Sequence, residues 1–258
     1  MLKKADINDF VNIKKLCQGT IIGTKILCYI LAYGFDRDFS EVWIIEEDDK
    51  VTGVLAKFYD DISLLLSDGA DIEQVSVFLD MFYYRTLMCD SSVGNALGFS
   101  ACMQKNGYRF CGETSCNDID FLTEDDMKPA YDLISKEIPG SFGSDREAYL
   151  SFLSDFTFRQ RRGFARGVCS HFEGKVSSVA LTSSETDNAA IISGVACDRN
   201  LQKKGLGKKT VLSLVNLLSE EKKMAYVIAL NESAEGFYEH IGFEKIENIS
   251  FVERNNYV

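Results

Sequence analysis

The chain is sparing with the residues that usually punctuate or specialise a protein. Two prolines occur in 258 residues, Pro129 and Pro139, and no Gly/Ser-rich stretch separates one part of the chain from another. A domain boundary therefore has to be inferred from pattern. Two histidines, His171 and His240, stand far apart in sequence, each expected to be a surface or packing residue. Cys111 and Cys116 lack the two-residue spacing of a zinc knuckle, with no second pair close behind; no metal site is expected. No uninterrupted apolar run reaches the roughly 20 residues needed to cross a bilayer. The first residues, Met1-Leu2-Lys3-Lys4-Ala5-Asp6, lead into polar sequence and are not expected to be a secretory leader. Positive charge is in deficit: 28 Lys and Arg against 39 Asp and Glu give a formal charge of −11. Such a surface repels phosphate backbones and argues against a general nucleic-acid binder. With eight cysteines set mostly beside apolar residues, behaving as small buried hydrophobes, the expectation is a reducing, cytoplasmic location without membrane association.

What is present is a repeat. Trp43-Ile44-Ile45-Glu46, a polar turn through Lys50, and Val51-Thr52-Gly53-Val54-Leu55-Ala56 read as strand, turn, strand. Gly167-Val168-Cys169-Ser170, a turn through Lys175, and Val176-Ser177-Ser178-Val179-Ala180-Leu181 read the same way 125 positions later (175 − 50). Each hairpin is followed by a further strand (62–66; 189–196), a helix (72–82; 206–221) and a short apolar strand (86–89; 225–230). Each copy is then expected to close with a helix running into glycine-aromatic: Asn106-Gly107-Tyr108 and Ile241-Gly242-Phe243. The order predicts an α/β protein of two diverged copies, with a boundary between Glu113 and Asp118 and domains 1–115 and 116–258. The second copy should open with a strand at 119–122. A helix capped by Thr123 follows, with Glu124-Asp125-Asp126 in its first turn, then a loop at 138–144 and a second helix over 145–156. Val211, Leu214, Val215 and Leu218 form one apolar stripe on the helix after Gly207.

The chemistry concentrates where the strand ending Val195-Ala196-Cys197-Asp198 passes into Gln202-Lys203-Lys204-Gly205-Leu206-Gly207-Lys208-Lys209. The first amides of a helix have no partner within it and carry the positive end of its dipole, so an anion placed there accepts several hydrogen bonds. Gly205 and Gly207 let a phosphate approach the backbone, and four lysines reverse the sign of an otherwise acidic chain. A helix start with turning glycines and solvating lysines is the plainer reading. The segment is not a P-loop, lacking Gly-Lys-Ser/Thr, and has no third glycine of a dinucleotide fingerprint.

Gln202-x-x-Gly205-x-Gly207 resembles the pyrophosphate motif of the GNAT superfamily of acetyl-CoA-dependent N-acetyltransferases. The segment Asn231-Glu232-Ser233-Ala234-Glu235-Gly236-Phe237-Tyr238-Glu239-His240-Ile241-Gly242-Phe243 resembles the family's closing segment. The resemblance covers about 117–258. It implies two GNAT-like domains in tandem, each a mostly antiparallel twisted sheet flanked by helices. Backbone groups of Val195 and Cys197, on the family's bulged fourth strand, would pair with pantetheine, and a nearby amide would stabilise the thioester oxyanion. Gln202 and the amides of Lys203, Gly205, Leu206, Gly207 and Lys208 would hold the pyrophosphate. Asn231 would contact the pantetheine arm, or cap a helix. Tyr238 would protonate the departing thiolate, or simply pack beside Phe237 on a helix burying Ala234, Phe237 and Ile241. Cys197 is not expected to act covalently. The base is unassigned; Glu185 and Asp187 fall in a turn, where a solvated carboxylate is the default.

The first copy carries Ser67-Asp68-Gly69-Ala70-Asp71 where the cradle would be, with acids in place of lysines, and is expected not to bind coenzyme. The resemblance thus implies transfer of an acetyl group from acetyl-CoA to a primary amine of a small molecule or peptide. A different acyl donor, a non-catalytic acetyl-CoA sensor and an interaction protein stay open, as does a homodimer.

Overall fold

The repeat read from the hairpins extends to almost every element of the computed structural model, which describes all residues except 36, 49, 82, 100–101, 114–119, 144 and 255–258. The first copy runs β1 (Leu2–Lys4), α1 (Phe10–Cys17), α2 (Ile21–Tyr33), β2 (Ser40–Glu47), β3 (Lys50–Phe58), β4 (Asp61–Leu66), α3 (Ile72–Asp80), β5 (Thr86–Asp90), α4 (Ser91–Ala96) and β6 (Met103–Phe110). The second runs α5 (Glu124–Glu137), α6 (Arg146–Arg161), β7 (Gly167–Phe172), β8 (Lys175–Glu185), β9 (Ala189–Cys197), α7 (Leu206–Glu220), β10 (Met224–Ile228), α8 (Glu232–His240) and β11 (Phe243–Glu253). Pairing repeats as well as order. β2–β3 and β3–β4 are antiparallel and β4–β5 parallel; β7–β8 and β8–β9 are antiparallel and β9–β10 parallel. A parallel pair needs a crossover connection, and α3 and α7 supply it.

Two expectations need correcting. Asn106-Gly107-Tyr108 does not end a helix; it lies inside β6. The glycine-aromatic pair that follows a helix in the first copy is Gly98-Phe99, with Gly98 at φ +80° and its counterpart Gly242 at +105°. Both glycines take the left-handed conformation that ends a helix. The strand expected at 119–122 is reduced to a bridge between Phe121 and Val168, and Ile119 lies outside the described residues. So do Phe82, at the expected end of α3, Ser144, Cys116 and most of the expected boundary segment.

The chain divides into two compact units that are not the two sequence halves. Unit 1 comprises residues 1–107, 229–235 and 245–258; unit 2 comprises 108–228 and 236–244. In unit 1 the strand order is β1-β2-β3-β4-β5-β11, with β11 antiparallel to β5 from Ile249↔Asp90 to Glu253↔Thr86. Its core packs Trp43, Ile45, Leu55, Leu64, Val75 and Leu87. In unit 2 the order is β10-β9-β8-β7, and α5 and α6 bury Met127, Ile134 and Phe156 against Val179, Leu181 and Ala196. On α7, Val211, Leu214, Val215 and Leu218 are all buried, as their spacing predicted. Among the described residues no helix is long and apolar enough to cross a membrane.

Candidate functional site: a splayed strand and an open helix start

β9 pairs with β8 as far as Cys197, but with β10 only from Ala189 to Ile192. Beyond Ile192 the side facing away from β8 has no strand partner among the described residues of unit 2. The β8–β9 ladder is interrupted at the same level: Leu181 faces Ser193 and Val179 faces Ala196. Gly194 and Val195 therefore share one opposing residue, a bulge. Gly194 sits at φ +55°, the left-handed residue of a glycine-type bulge. A Cβ there would also stand 3.1 Å from Ile134 Cδ1 and 3.2 Å from Leu181 Cδ1. Gly194 was not singled out in the sequence, although a lone glycine inside a strand pattern is the signal for such a bulge.

The loop after β9 is tied to its own backbone. Asp198 accepts from the Asn200 amide at 2.9 Å, a short 3-10 turn covers Arg199–Leu201, and Gln202 Nε2 donates to the Cys197 carbonyl at 3.2 Å. Lys203 (φ +63°) and Gly205 (φ +84°) then turn the chain into α7. Gly205 caps the helix without any side-chain hydrogen bond, and the Lys209 amide, at 2.9 Å from the Gly205 carbonyl, makes the first bond of the ladder. The amides of Leu206, Gly207 and Lys208 precede that bond and have no backbone partner among the described residues. A Cβ on Gly205 would meet nothing within 4 Å, and one on Gly207 only Cys197 Cβ at 3.8 Å, so the space before the helix is open. Ser170 Oγ lies 2.9 Å from Thr210 Oγ1 and fixes the first turn to β7. Lys203, Lys208 and Lys209 are exposed, and Lys204 Nζ sits 5.7 Å from the Phe172 ring centre.

The equivalent place in unit 1 is closed. The β3–β4 ladder runs without a shift from Gly53↔Leu66 to Phe58↔Asp61. The start of α3 is capped by its own Asp71, which accepts from the Gln74 amide at 3.0 Å. A carboxylate of the chain already stands where an anion would bind.

Tyr238 is 7% exposed and packs edge-on to Phe237 and Phe243, at 5.3 and 5.5 Å between ring centres. It is the buried side chain of α8; of the expected face, Ile241 just beyond the helix is buried, whereas Ala234 and Phe237 are only partly covered. Burial pushes its phenol above the ordinary range with nothing opposing, so at neutral pH the hydroxyl keeps its proton. Asn231 belongs to unit 1, where Oδ1 caps α8 by accepting from the Ala234 amide at 3.0 Å. Cys197 is half-buried; burial raises its thiol and the Gly207 amide partly offsets that, which does not make a nucleophile.

Glu185 is not a solvated carboxylate. It is fully buried at the end of β8, where Arg166 donates to both its oxygens and Lys223 Nζ lies 2.9 Å away. Its turn neighbour Asp187 is exposed. His171 does not stand alone either, its Nε2 lying 2.8 Å from Asp126 Oδ1.

Comparison with known proteins agrees with this geometry. Residues 167–252 match the family model described as FR47-like protein. No curated protein matches by sequence. Among solved structures, a tandem GNAT protein from the clavulanic acid biosynthesis pathway superposes with a TM-score of 0.64, covering 98% of each chain at 13% identity. The chain has the GNAT fold. A GNAT-family acetyltransferase from Colwellia psychrerythraea gives 0.62 at 11% identity, covering 98% of this chain and 100% of the other. A GCN5-related N-acetyltransferase from Sphaerobacter thermophilus gives 0.61 at 11%, covering 97% and 94%. The likeness to GNAT proteins read from Gln202, Gly205 and Gly207 is thus borne out, and the tandem arrangement of the fold with it.

Proposed function

We propose that the protein is a GNAT-type N-acetyltransferase that moves an acetyl group from acetyl-CoA directly to a primary amine, with unit 2 as the catalytic unit. One observation carries this reading: the free, bulged end of β9 leads straight into an uncapped helix start, while the equivalent helix of unit 1 is capped by its own Asp71. The amides of Leu206, Gly207 and Lys208, with Gln202, Lys203 and Gly205, form the diphosphate cradle. Backbone groups of Val195 and Cys197 take the pantetheine arm as an added strand, and an amide in that stretch stabilises the oxyanion. The amine nitrogen bonds to the thioester carbonyl carbon and the carbon–sulfur bond breaks. Tyr238 gives its proton to the leaving thiolate, and the proton lost by the amine goes to solvent. Holding the two reactants together supplies much of the acceleration. An amine acceptor suits a chain of charge −11, and the buried free thiols of Cys17, Cys28, Cys89 and Cys169 suit a reducing cytoplasm.

The test is a thermal melt with coenzyme A, followed by release of coenzyme A from acetyl-CoA in the presence of polyamines, amino acids, aminoglycosides and peptide N-termini. A ligand bound only by the native state raises the melting temperature. A shift with amine-dependent release supports the enzyme. A shift without release from any amine or other acyl-CoA leaves a coenzyme sensor, and no shift removes the reading.

A further inference from the structure

A second group of reactive side chains lies in unit 2 among residues with no part in the proposed acetyl transfer. β7 carries Cys169 and His171 two residues apart, and such residues share one face of a strand. The first turn of α5 brings Asp126 to that face. Cys169 Sγ, a ring nitrogen of His171 and a carboxylate oxygen of Asp126 all lie within 4.8 Å of one another, with Nε2 of His171 2.8 Å from Asp126 Oδ1. Cys169 is 3% exposed and belongs to the core beneath α5, whereas the His171 side chain is 37% exposed. The cluster is therefore closed by apolar packing on one side and open to solvent on the other.

The carboxylate is already oriented. Asp126 Oδ2 accepts from Thr123 Oγ1 at 2.6 Å and from the Thr123 amide at 3.1 Å, which leaves Oδ1 directed at His171. The Cys169 amide is held by the Asp120 carbonyl at 2.9 Å. Fixed outer partners of this kind are what a ligating carboxylate and a ligating strand require. A helix cap accounts for Asp126 alone. It calls for neither an imidazole nor a thiol placed two residues apart on the facing strand.

We propose that Asp126, Cys169 and His171 are the three protein ligands of a zinc ion. Sulfur, imidazole nitrogen and carboxylate oxygen form a donor set that suits Zn²⁺, whereas Mg²⁺ and Ca²⁺ take oxygen donors. Three protein ligands leave the fourth tetrahedral position to solvent on the open side. At metal–ligand distances of about 2.0–2.3 Å the ion replaces the His171–Asp126 hydrogen bond and draws the thiol inward. The Cys169 thiol proton leaves to solvent on binding, and the thiolate and carboxylate balance the two charges of the ion. Loaded, the site staples β7, at the edge of the sheet, to the first turn of α5. It neither uses nor requires the coenzyme cradle.

The experiment strips the full chain with a chelator and titrates it with Co²⁺. One equivalent is expected to produce a thiolate-to-cobalt band in the near ultraviolet and the visible bands of a tetrahedral ion, both displaced by Zn²⁺. Zn²⁺ is expected to raise the melting temperature of the wild type. Cys169→Ser should lose the near-ultraviolet band. His171→Gln, at a half-exposed position outside the core, should weaken Co²⁺ binding by at least about tenfold and cancel the melting shift. If Cys169→Ser fails to fold, His171→Gln and Asp126→Asn carry the test. No thiolate band and no melting shift in the wild type would overturn the proposal, as would a band that survives in Cys169→Ser or binding unchanged in His171→Gln.

Discussion

Gln202 donates its side-chain amide to the carbonyl of Cys197 at 3.2 Å, so the residue that opens the glycine loop is fastened to the last residue of β9. The bond fixes the angle at which strand edge and helix start meet, and Val195, Cys197, Leu206 and Gly207 there are all partly exposed. Gln202→Ala should leave the fold almost as stable as before and loosen this angle. A neutral hydrogen bond is worth about 0.5–1.5 kcal/mol, so the Kd for coenzyme A is expected to rise about 2–10-fold by titration calorimetry. An unchanged Kd would show that the loop is set by Lys203 and Gly205 alone.

Gly207 separates the stability of α7 from its proposed task. The position lies inside the helix and has open space around it, with Cys197 Cβ the sole neighbour of an added Cβ at 3.8 Å. Gly207→Glu should therefore hold or raise the melting temperature of the free protein, because an acid in the first turn favours the helix. The same carboxylate stands where a diphosphate would approach, and coenzyme A affinity should fall by more than about tenfold. If the variant is destabilised and still binds, the cradle is somewhere else.

Tyr238 makes a comparable test of chemistry. Its hydroxyl has no hydrogen-bond partner among the described residues, and burial alone raises its pKa. Tyr238→Phe should leave stability at neutral pH and coenzyme affinity unchanged, while kcat falls about 10²–10⁴-fold, the usual contribution of a positioned acid. The raised phenol also sets an alkaline limit. Its contribution is fully present below the ordinary value of 10 and is lost as the pH rises beyond it, because the unfolded chain releases that proton first. Melting curves of Tyr238→Phe should be flatter than those of the wild type in that window.

Glu185 and Glu221 share Arg166 and Lys223 but should respond differently. The Glu185 side chain is fully buried, and Glu185→Ala would leave two cations of side-chain exposure 19% and 11% with the more exposed Glu221 alone. A loss of about 3–5 kcal/mol in urea unfolding is expected. Hydrogen bonds from Arg166, and then from Lys223, hold the Glu221 carboxyl at about 2 against its ordinary 4.5. That stabilisation is present above pH 4.5 and lost as the pH falls toward 2. Since the Glu221 side chain is 43% exposed, solvent screening keeps it to about 1 kcal/mol or less, and Glu221→Gln should show a shallower acid limb only.

How far the sequence could be read is clear from single positions. Asp48 and Glu173, which are 125 apart, both sit in the left-handed region, at φ +48° and +51°. The repeat inferred from the two hairpins therefore holds down to the backbone of their turns. The turn into α7 was equally legible, since Gly205, at φ +84°, announces a left-handed conformation. The partners of Glu185 and His171 were not. Arg166, Lys223 and Asp126 reach them through strand pairing and helix packing, which carry no local signature. Gly107 misled because glycine before an aromatic marks both a helix end and a close approach; in β6 it makes room for Ile21 and Glu247, whose side chains lie 2.6 and 2.9 Å from where its Cβ would be.

β11 belongs to the unit that begins with Met1, and the strand it pairs with was laid down some 160 residues earlier, as in Phe251↔Met88 (251 − 88 = 163). During synthesis the first sheet thus remains one strand short until β11 has left the ribosome. A fragment of residues 1–115 would present the bare side of β5, with its unpaired amides and carbonyls, to any strand it met. The duplicated halves have given up independent birth: the earlier one is finished only by the tail of the later one.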